Sequence, residues 1–126
     1  MKTVLFLDDD PTRHDLFDKS MSDVCQITHV KTSQQAIDAL RCQKFDAASL
    51  DHDLGDFGSG EVGDGMEVAE FIALHLQRAN IPDLVFVHSF NAPAAKRMTD
   101  CLMAGNITTV QDAWSPSAVA FLKRHI

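Results

Sequence analysis

Short apolar runs that stop abruptly at polar residues, each followed by a helical pattern, constrain this chain more than any other feature. "TVLFL" (3–7) is continuous and apolar after Thr3, then meets "DDDP". A run of that length without alternation predicts a strand buried on both faces. "PTRHDLFDKSM" (11–21) follows, with Pro11 suited to a first helical turn and Leu16, Phe17 and Met21 on one face. The same succession recurs four more times. It predicts five βα units, and therefore an α/β fold: one doubly wound domain over residues 1–126 whose parallel sheet carries helices on both faces.

The later units differ in detail. "VCQITHV" (24–30) is less apolar and predicts a strand nearer an edge of the sheet. "SQQAIDALRCQ" (33–43) predicts a helix with Ala36, Ile37 and Leu40 inward and Thr32 or Ser33 as N-cap. "DAASL" (46–50) is the third strand. "GMEVAEFIALHLQRAN" (65–80), apolar at 68, 69, 72, 73 and 76, predicts one long helix. "DLVFV" (83–87) and "ITTV" (107–110) are strands four and five. Between them "APAAKRMTDCLMAG" (92–105) is a helix ended by Gly105, and "SPSAVAFLKRHI" supplies the last helix with Pro116 near its start.

Composition narrows the function. The formal net charge is −7, a field that repels phosphate backbones and argues against an extended nucleic-acid surface. It leaves room for a small phosphorylated ligand held through a cation. No run approaches the ~18 apolar residues of a membrane span, and "MKTVLFLDDD" lacks the features of a signal peptide. Cys25, Cys42 and Cys101 make neither a CxxC pair nor an even framework, so reduced thiols in a cytoplasmic protein are expected.

In open α/β sheets, ligands bind beyond the carboxyl ends of the strands, where the strand order reverses. Strand one is followed by Asp8, Asp9 and Asp10, and strand three by Asp51, His52 and Asp53. Strand four leads to His88, Ser89 and Asn91, and strand five to Gln111 and Asp112; strand two offers only Lys31 and Thr32. In a sheet of order 2-1-3-4-5, strands one and three are neighbours at the switch point. Two carboxylates about 4 Å apart repel by roughly 4 kcal/mol at an effective dielectric near 20. A cluster of them must share protons or hold a cation. All-oxygen donors favour Mg²⁺ or Mn²⁺, with Ca²⁺ also compatible. Asp10, just before Pro11, is expected to cap the first helix instead.

These stretches carry a resemblance. "VLFLDDDP" after strand one, an Asp ending strand three and a Ser ending strand four resemble the receiver domain of response regulators, a flavodoxin-like fold. That resemblance implies Mg²⁺ held by Asp8, Asp9 and Asp51, phosphate accepted on Asp51, and Ser89 as a switch hydroxyl. The chain departs from the pattern where receivers carry a lysine after strand five, since "ITTVQDAW" has none. "FLDD", "SLDHDLG", "GDGMEVAEFI" and "VHSFNAPAAKRM" are more similar to a divergent branch, the cyclic-phosphate-processing receiver-like domains. The implied activity there is metal-dependent hydrolysis or transfer at cyclic phosphate esters, of nucleotides or of RNA ends. The alternative is a stand-alone receiver, phosphorylated on Asp51, that signals through a partner protein.

Candidate roles follow. Asp9 and Asp51 are expected to bind the metal directly, and Asp8 directly or through water. Asp53 is two residues beyond Asp51 and, if strand alternation continues, points the same way, as a further ligand or a support for one. His52 is either catalytic or a structural hydrogen-bonding group. His88 is either a core residue or the acid that protonates a leaving alkoxide, for which the ordinary histidine pKa near 6.5 is suited. Ser89 and Asn91 are candidates to bind phosphate oxygens. Lys96 and Arg97 either contact phosphate or line a solvated helix face, and Trp114 either stacks a base or packs the last helix. The stretch 55–65 holds five of the six glycines and lacks a P-loop pattern; it reads as a lid over the strand ends or a plain surface loop.

Overall fold

The computed structural model describes residues 1–55 and 63–126. Most of the expected glycine-rich lid, including Asp56 and Glu61, lies outside the described residues. Five parallel strands form the sheet: β1 (Lys2–Leu7), β2 (Cys25–Val30), β3 (Ala47–Leu50), β4 (Leu84–Val87) and β5 (Thr109–Gln111), in the order β2-β1-β3-β4-β5. The helices are α1 (Pro11–Met21), α2 (Ser33–Cys42), α3 (Gly65–Leu74), α4 (Ala92–Ala104) and α5 (Pro116–His125). The expected α/β class, strand order and less apolar β2 at the sheet edge are all observed. Among the described residues, no helix is long and apolar enough to cross a membrane.

Two cores flank the sheet. Val4, Phe6, Ala47 and Phe86 pack beneath Phe17 and Met21 of α1 and Ala118, Val119 and Leu122 of α5. Leu5, Leu7, Leu50, Val85 and Val87 face α2, α3 and α4 through Ala36, Leu40, Val68, Ile72, Met98 and Leu102. The central strands are thus buried on both sides, which is why their sequences run apolar without alternation.

Each helix starts at a side-chain cap. Asp10 accepts from the Thr12 N–H at 2.8 Å, as expected of the residue before Pro11, and Thr32 accepts from Gln35 N–H at 3.1 Å. Asp64, Asn91 and Ser115 cap α3, α4 and α5. Such caps satisfy donors that the first helical turn leaves without partners.

Two local expectations are corrected and a third is refined. Leu16 is 48% exposed; the buried face of α1 is His14, Phe17 and Met21, because His14 Nε2–H donates to the Asp8 carbonyl at 2.7 Å. The helix expected over 65–80 ends at Leu74, followed by a 3-10 turn at Arg78–Asn80. There Asn80 Nδ2 donates to the carbonyls of Leu40 and Arg41 at 3.3 Å, so this segment leaves the helix and satisfies the end of α2. Finally, α4 does end at Gly105, yet the left-handed residue is Asn106 (φ 61°). Ile107 N–H returns to the Leu102 carbonyl and Asn106 N–H to that of Met103, a Schellman closure with asparagine in the position glycine usually takes.

Candidate functional site

The site begins as a row of backbone hydrogen bonds. One residue beyond β1, β3, β4 and β5 the ladder continues: Asp8 N–H to Val30, Asp51 N–H to Leu7, His88 N–H to Leu50 and Asp112 N–H to Val87, all between 3.0 and 3.2 Å. Asp8, Asp51 and His88 therefore stand side by side across the carboxyl edge. Strand alternation aims them toward the α1/α5 layer, the side taken two residues earlier by Phe6, Ser49 and Phe86. Gly65 lets α3 press against this row from the opposite layer. Its N–H donates to the His52 carbonyl at 2.9 Å, and a Cβ there would overlap the Asp51 carbonyl.

Asp8 is wholly buried and collects three donors. Asp10 N–H reaches its Oδ1 at 2.8 Å, and Arg13 Nε–H and His88 Nε2–H reach its Oδ2 at 2.8 and 2.9 Å. Burial opposes its ionisation, but the bonds from His88 and Arg13 prevail and hold the carboxyl down at about 2. Asp51, 6% exposed, has one such bond, from His52 N–H to Oδ1 at 2.9 Å. Burial, and then the Asp8 charge, push it up to about 7 against a smaller opposing pull from Arg13. The two neighbours differ in sign: Asp8 is held ionised, and Asp51 is pushed toward its protonated form.

His88 lies behind Asp8 and is 2% exposed. Because the Asp8 carboxylate only accepts, His88 presents Nε2–H to it. The neutral ring then accepts at Nδ1 from the Ser49 hydroxyl, 2.7 Å away. Burial keeps this imidazole below its ordinary pKa. The ring stacks on Phe6 at 5.0 Å and meets the edge of Trp114 at 5.6 Å. Trp114 thus packs over Phe6 and Phe17, against the core cluster that also holds Ala118, Val119 and Leu122 of α5.

The remaining candidates form the rim. Asp9 Oδ2 accepts from Gly55 N–H at 2.8 Å, tying the β1 loop to the loop after β3. β3 ends at Leu50, so alternation does not carry Asp53 beside Asp51. Asp53 turns outward, its side chain 67% exposed, and accepts from His52 Nδ1 at 2.7 Å and Asn91 Nδ2 at 3.3 Å. The His52 bond keeps Asp53 below the usual carboxylate range. His52 Nε2 faces Asp64 at 3.5 Å, and His52, Asp9, Asp53, Gly55 and Asp64 line an open cavity. Ser89 is buried and its Oγ accepts from Asn91 N–H at 3.0 Å. Asn91 Oδ1 caps α4 at Ala94. Lys96 pairs with Asp100 on its own helix at 2.8 Å, and Arg97 is exposed on the same helix; neither is brought to the acids.

Arg13 is the residue that sequence reasoning missed. Besides its bond to Asp8, Nη2 stands 3.6 Å from both Asp9 Oδ1 and Asp51 Oδ2, and Nη1 stands 3.7 Å from Asp10 Oδ2. The spacing contained a signal: four residues after Asp9, in a helix opened by Pro11, places the guanidinium over the acid cluster. The Phe90 ring lies 5.8 Å from its guanidinium carbon.

Asp8, Asp51 and His88 present ligand atoms within 4.8 Å of one another. With both His88 ring nitrogens engaged by Asp8 and Ser49, the two carboxylates are the donors of this group open to a hard divalent cation such as Mg²⁺ or Mn²⁺. Asp9 is not part of this group, though its Oδ1 shares the Arg13 Nη2 with Asp51 at 3.6 Å, and Asp53 stays with His52 and Asn91.

Solved structures similar to this chain include receiver domains. The receiver domain of the sensor histidine kinase PA1611 from Pseudomonas aeruginosa PAO1, with a magnesium ion coordinated in its active-site cleft, is 20% identical with a TM-score of 0.70. The match covers 98% of this chain and 93% of that one. The non-phosphorylated HemR receiver domain from Leptospira biflexa is also 20% identical, TM-score 0.70, covering 99% and 91%. The BeF3-activated RstA receiver domain from Klebsiella pneumoniae is 13% identical, TM-score 0.67, covering 98% and 97%. At these identities the likeness shows the fold. No curated protein matches the chain. The family described as the cyclic-phosphate processing Receiver domain matches residues 3–104, a span that includes Asp8, Asp9, Asp10, Arg13, Asp51, His52, Asp53 and His88 but not Asp112. The chain therefore belongs to the cyclic-phosphate processing Receiver domain family.

Proposed function

We propose that this protein binds a divalent cation, Mg²⁺ or Mn²⁺, at Asp8, Asp9 and Asp51 and uses the site to open a cyclic phosphate ester. The supporting observation is the row itself: buried groups of Asp8, Asp51 and His88 within 4.8 Å of one another at the sheet's switch point, in a chain of this family.

When bound, the cation would polarise a phosphoryl oxygen and offset charge developing in the in-line displacement. The chain's own groups have separable tasks. Asp8 is a permanent anion, fixed in orientation by His88, Arg13 and the Asp10 N–H. Asp51 Oδ2 accepts no hydrogen bond among the described residues, and it takes the proton of an attacking water as the ring P–O bond breaks. The departing alkoxide needs a proton in return. His52 is the donor in this reading, supported by its position on the open cavity, whereas His88 is sealed behind Asp8. Asp53 steadies the His52 ring through Nδ1, the arrangement that orients an imidazole for proton transfer. Asn91, bonded to Asp53 at the rim, and Ser89, which accepts from the Asn91 N–H, are candidate partners of phosphate oxygens.

The second reading is a phosphoacceptor that signals through a partner protein, in which Asp51 Oδ2 attacks phosphorus and keeps the phosphoryl group. The uncommitted Oδ2 favours it equally. Incubation with Mn²⁺ and a 2′,3′-cyclic nucleotide, and separately with acetyl phosphate, tells the two apart. Catalytic ring opening that disappears in Asp51→Asn is the result expected here. Stoichiometric labelling of Asp51 without turnover would establish the acceptor instead, and inertness toward both would overturn the two together.

A further inference from the structure

We infer that Arg13 is the anion-binding residue of this site: its Nη1 and Nη2 groups are reserved for the non-bridging oxygens of the phosphate that the cation brings in. The inference rests on the proposed cation site.

The guanidinium is anchored at one end only. Nε donates to Asp8 Oδ2 at 2.8 Å, within the ordinary hydrogen-bond range. Nη1 and Nη2 stand 3.6 to 3.7 Å from Asp9, Asp10 and Asp51, too far for directed bonds of that kind. These carboxylates attract the charge without consuming the donors. Among the described residues no hydrogen bond engages either terminal nitrogen, although the side chain is only 22% exposed. A half-buried guanidinium with its fork unspent, held in place by a buried carboxylate, is prepared for a planar, two-pronged acceptor such as phosphate.

Charge leads to the same assignment. Asp8, Asp9 and Asp51, all ionised around a divalent cation, leave the centre one negative charge in excess. An anionic phosphate would meet net repulsion there. The guanidinium cancels that charge at the spot where the phosphate must arrive, 3.6 Å from Asp51 Oδ2. No other described Lys or Arg lies within 4 Å of Asp51. Lys96, the nearest alternative by sequence, is engaged with Asp100. The Phe90 ring, just after β4, stands 5.8 Å from the guanidinium carbon.

The test separates phosphate from metal. Mn²⁺ binding to the full chain is followed by electron paramagnetic resonance. Inorganic phosphate binding to the Mn²⁺-loaded protein is followed by paramagnetic broadening of the phosphorus resonance, in the wild type, Arg13→Gln and Arg13→Lys. The expected result is at least ~10-fold weaker phosphate binding in Arg13→Gln, in keeping with the loss of charge-assisted bonds, with Mn²⁺ bound as tightly or more tightly. Arg13→Lys, which keeps the charge and loses the fork, should fall between, and it decides the matter if Arg13→Gln fails to fold. Phosphate affinity within ~2-fold of wild type in the folded variants would overturn the inference. So would a parallel loss of Mn²⁺ affinity, which would make Arg13 a support for Asp8 alone. A wild type that binds no Mn²⁺ would overturn the cation site first, and this inference with it.

Discussion

His88 Nε2 lies 2.9 Å from Asp8 Oδ2, and the two side chains are 1% and 0% exposed. Eighty residues separate them in the chain. The pairing keeps Asp8 ionised in the interior, and the Ser49 hydroxyl on the other ring nitrogen completes a buried chain of three polar groups with no donor or acceptor left over among the described residues. Buried polar networks of this kind hold a single geometry because each member's removal strands another.

Removal of His88 should therefore cost more than its packing. His88→Ala leaves Asp8 without its interior donor and Ser49 without an acceptor, and the expected loss is about 3 kcal/mol in urea unfolding. Ser49→Ala removes only the outer bond and should cost about 1 kcal/mol. In the double variant the Ser49 effect should largely vanish. Additive losses would show that the three residues do not act as a unit.

Asp51 predicts an unusual pH dependence for the metal-free protein. Its folded pKa of about 7 lies above the ordinary carboxylate value. Between pH ~4 and 7 the folded state thus holds a proton that the unfolded state has released, and stability falls as pH rises through that window. Asp51→Asn should flatten the slope and make the metal-free protein more stable at pH 8. Asp8 acts oppositely: with its pKa down at about 2, its contribution is present above pH ~4 and is lost as pH falls toward 2. Urea titrations at pH steps, wild type against Asp51→Asn, would refute the assignment if the two curves stay parallel.

A cation should reverse the Asp51 effect. Mn²⁺ or Mg²⁺ competes with the Asp51 proton, so each should raise the melting temperature more at pH 8 than at pH 5. The gain should shrink strongly in Asp51→Asn and Asp9→Asn. An equal shift at both pH values would mean that the ion binds elsewhere.

Gly65 is required by close approach. A methyl group there meets the Asp51 carbonyl and the His52 backbone, main-chain atoms that cannot rotate away. Gly65→Ala should cost about 2–4 kcal/mol in urea unfolding, despite alanine's better helix propensity. It should also weaken Mn²⁺ binding, because Asp51 is displaced with its carbonyl. A stability equal to wild type would show that the α3 start and the β3 end are not in contact.

Asn91 tests the rim. Its Oδ1 caps α4 and its Nδ2 reaches Asp53. Asn91→Ala should lose about 1 kcal/mol for the cap and free Asp53. Asn91→Asp should keep the cap while setting two carboxylates against each other. If Asn91→Asp alters cyclic-ester turnover while stability stays within ~0.5 kcal/mol of wild type, the Asp53 link matters for the chemistry and not for the fold.

Much of this architecture was legible along the chain. Unbroken apolar runs such as "TVLFL" announce strands covered on both sides. Asp10 and Thr32 stand where caps are needed, and acids after strands one and three mark the switch point. These are local signals, set by a strand's two-residue period, a helix's 3.6-residue period and the unsatisfied N–H groups of a first turn, so a single segment carries them whole. What the tertiary structure decided is which local options prevail when segments meet. His14 displaces Leu16 from the buried face because the Asp8 carbonyl needs a donor. The helix after Gly65 stops at Leu74 and its tail satisfies α2. Asp53 turns to the rim because β3 has already ended, His88 sinks behind Asp8, and Arg13 gathers four acids from two loops. Each outcome depends on a partner up to 80 positions away, and a hydrogen bond or charge contact across that separation leaves no periodicity in the sequence.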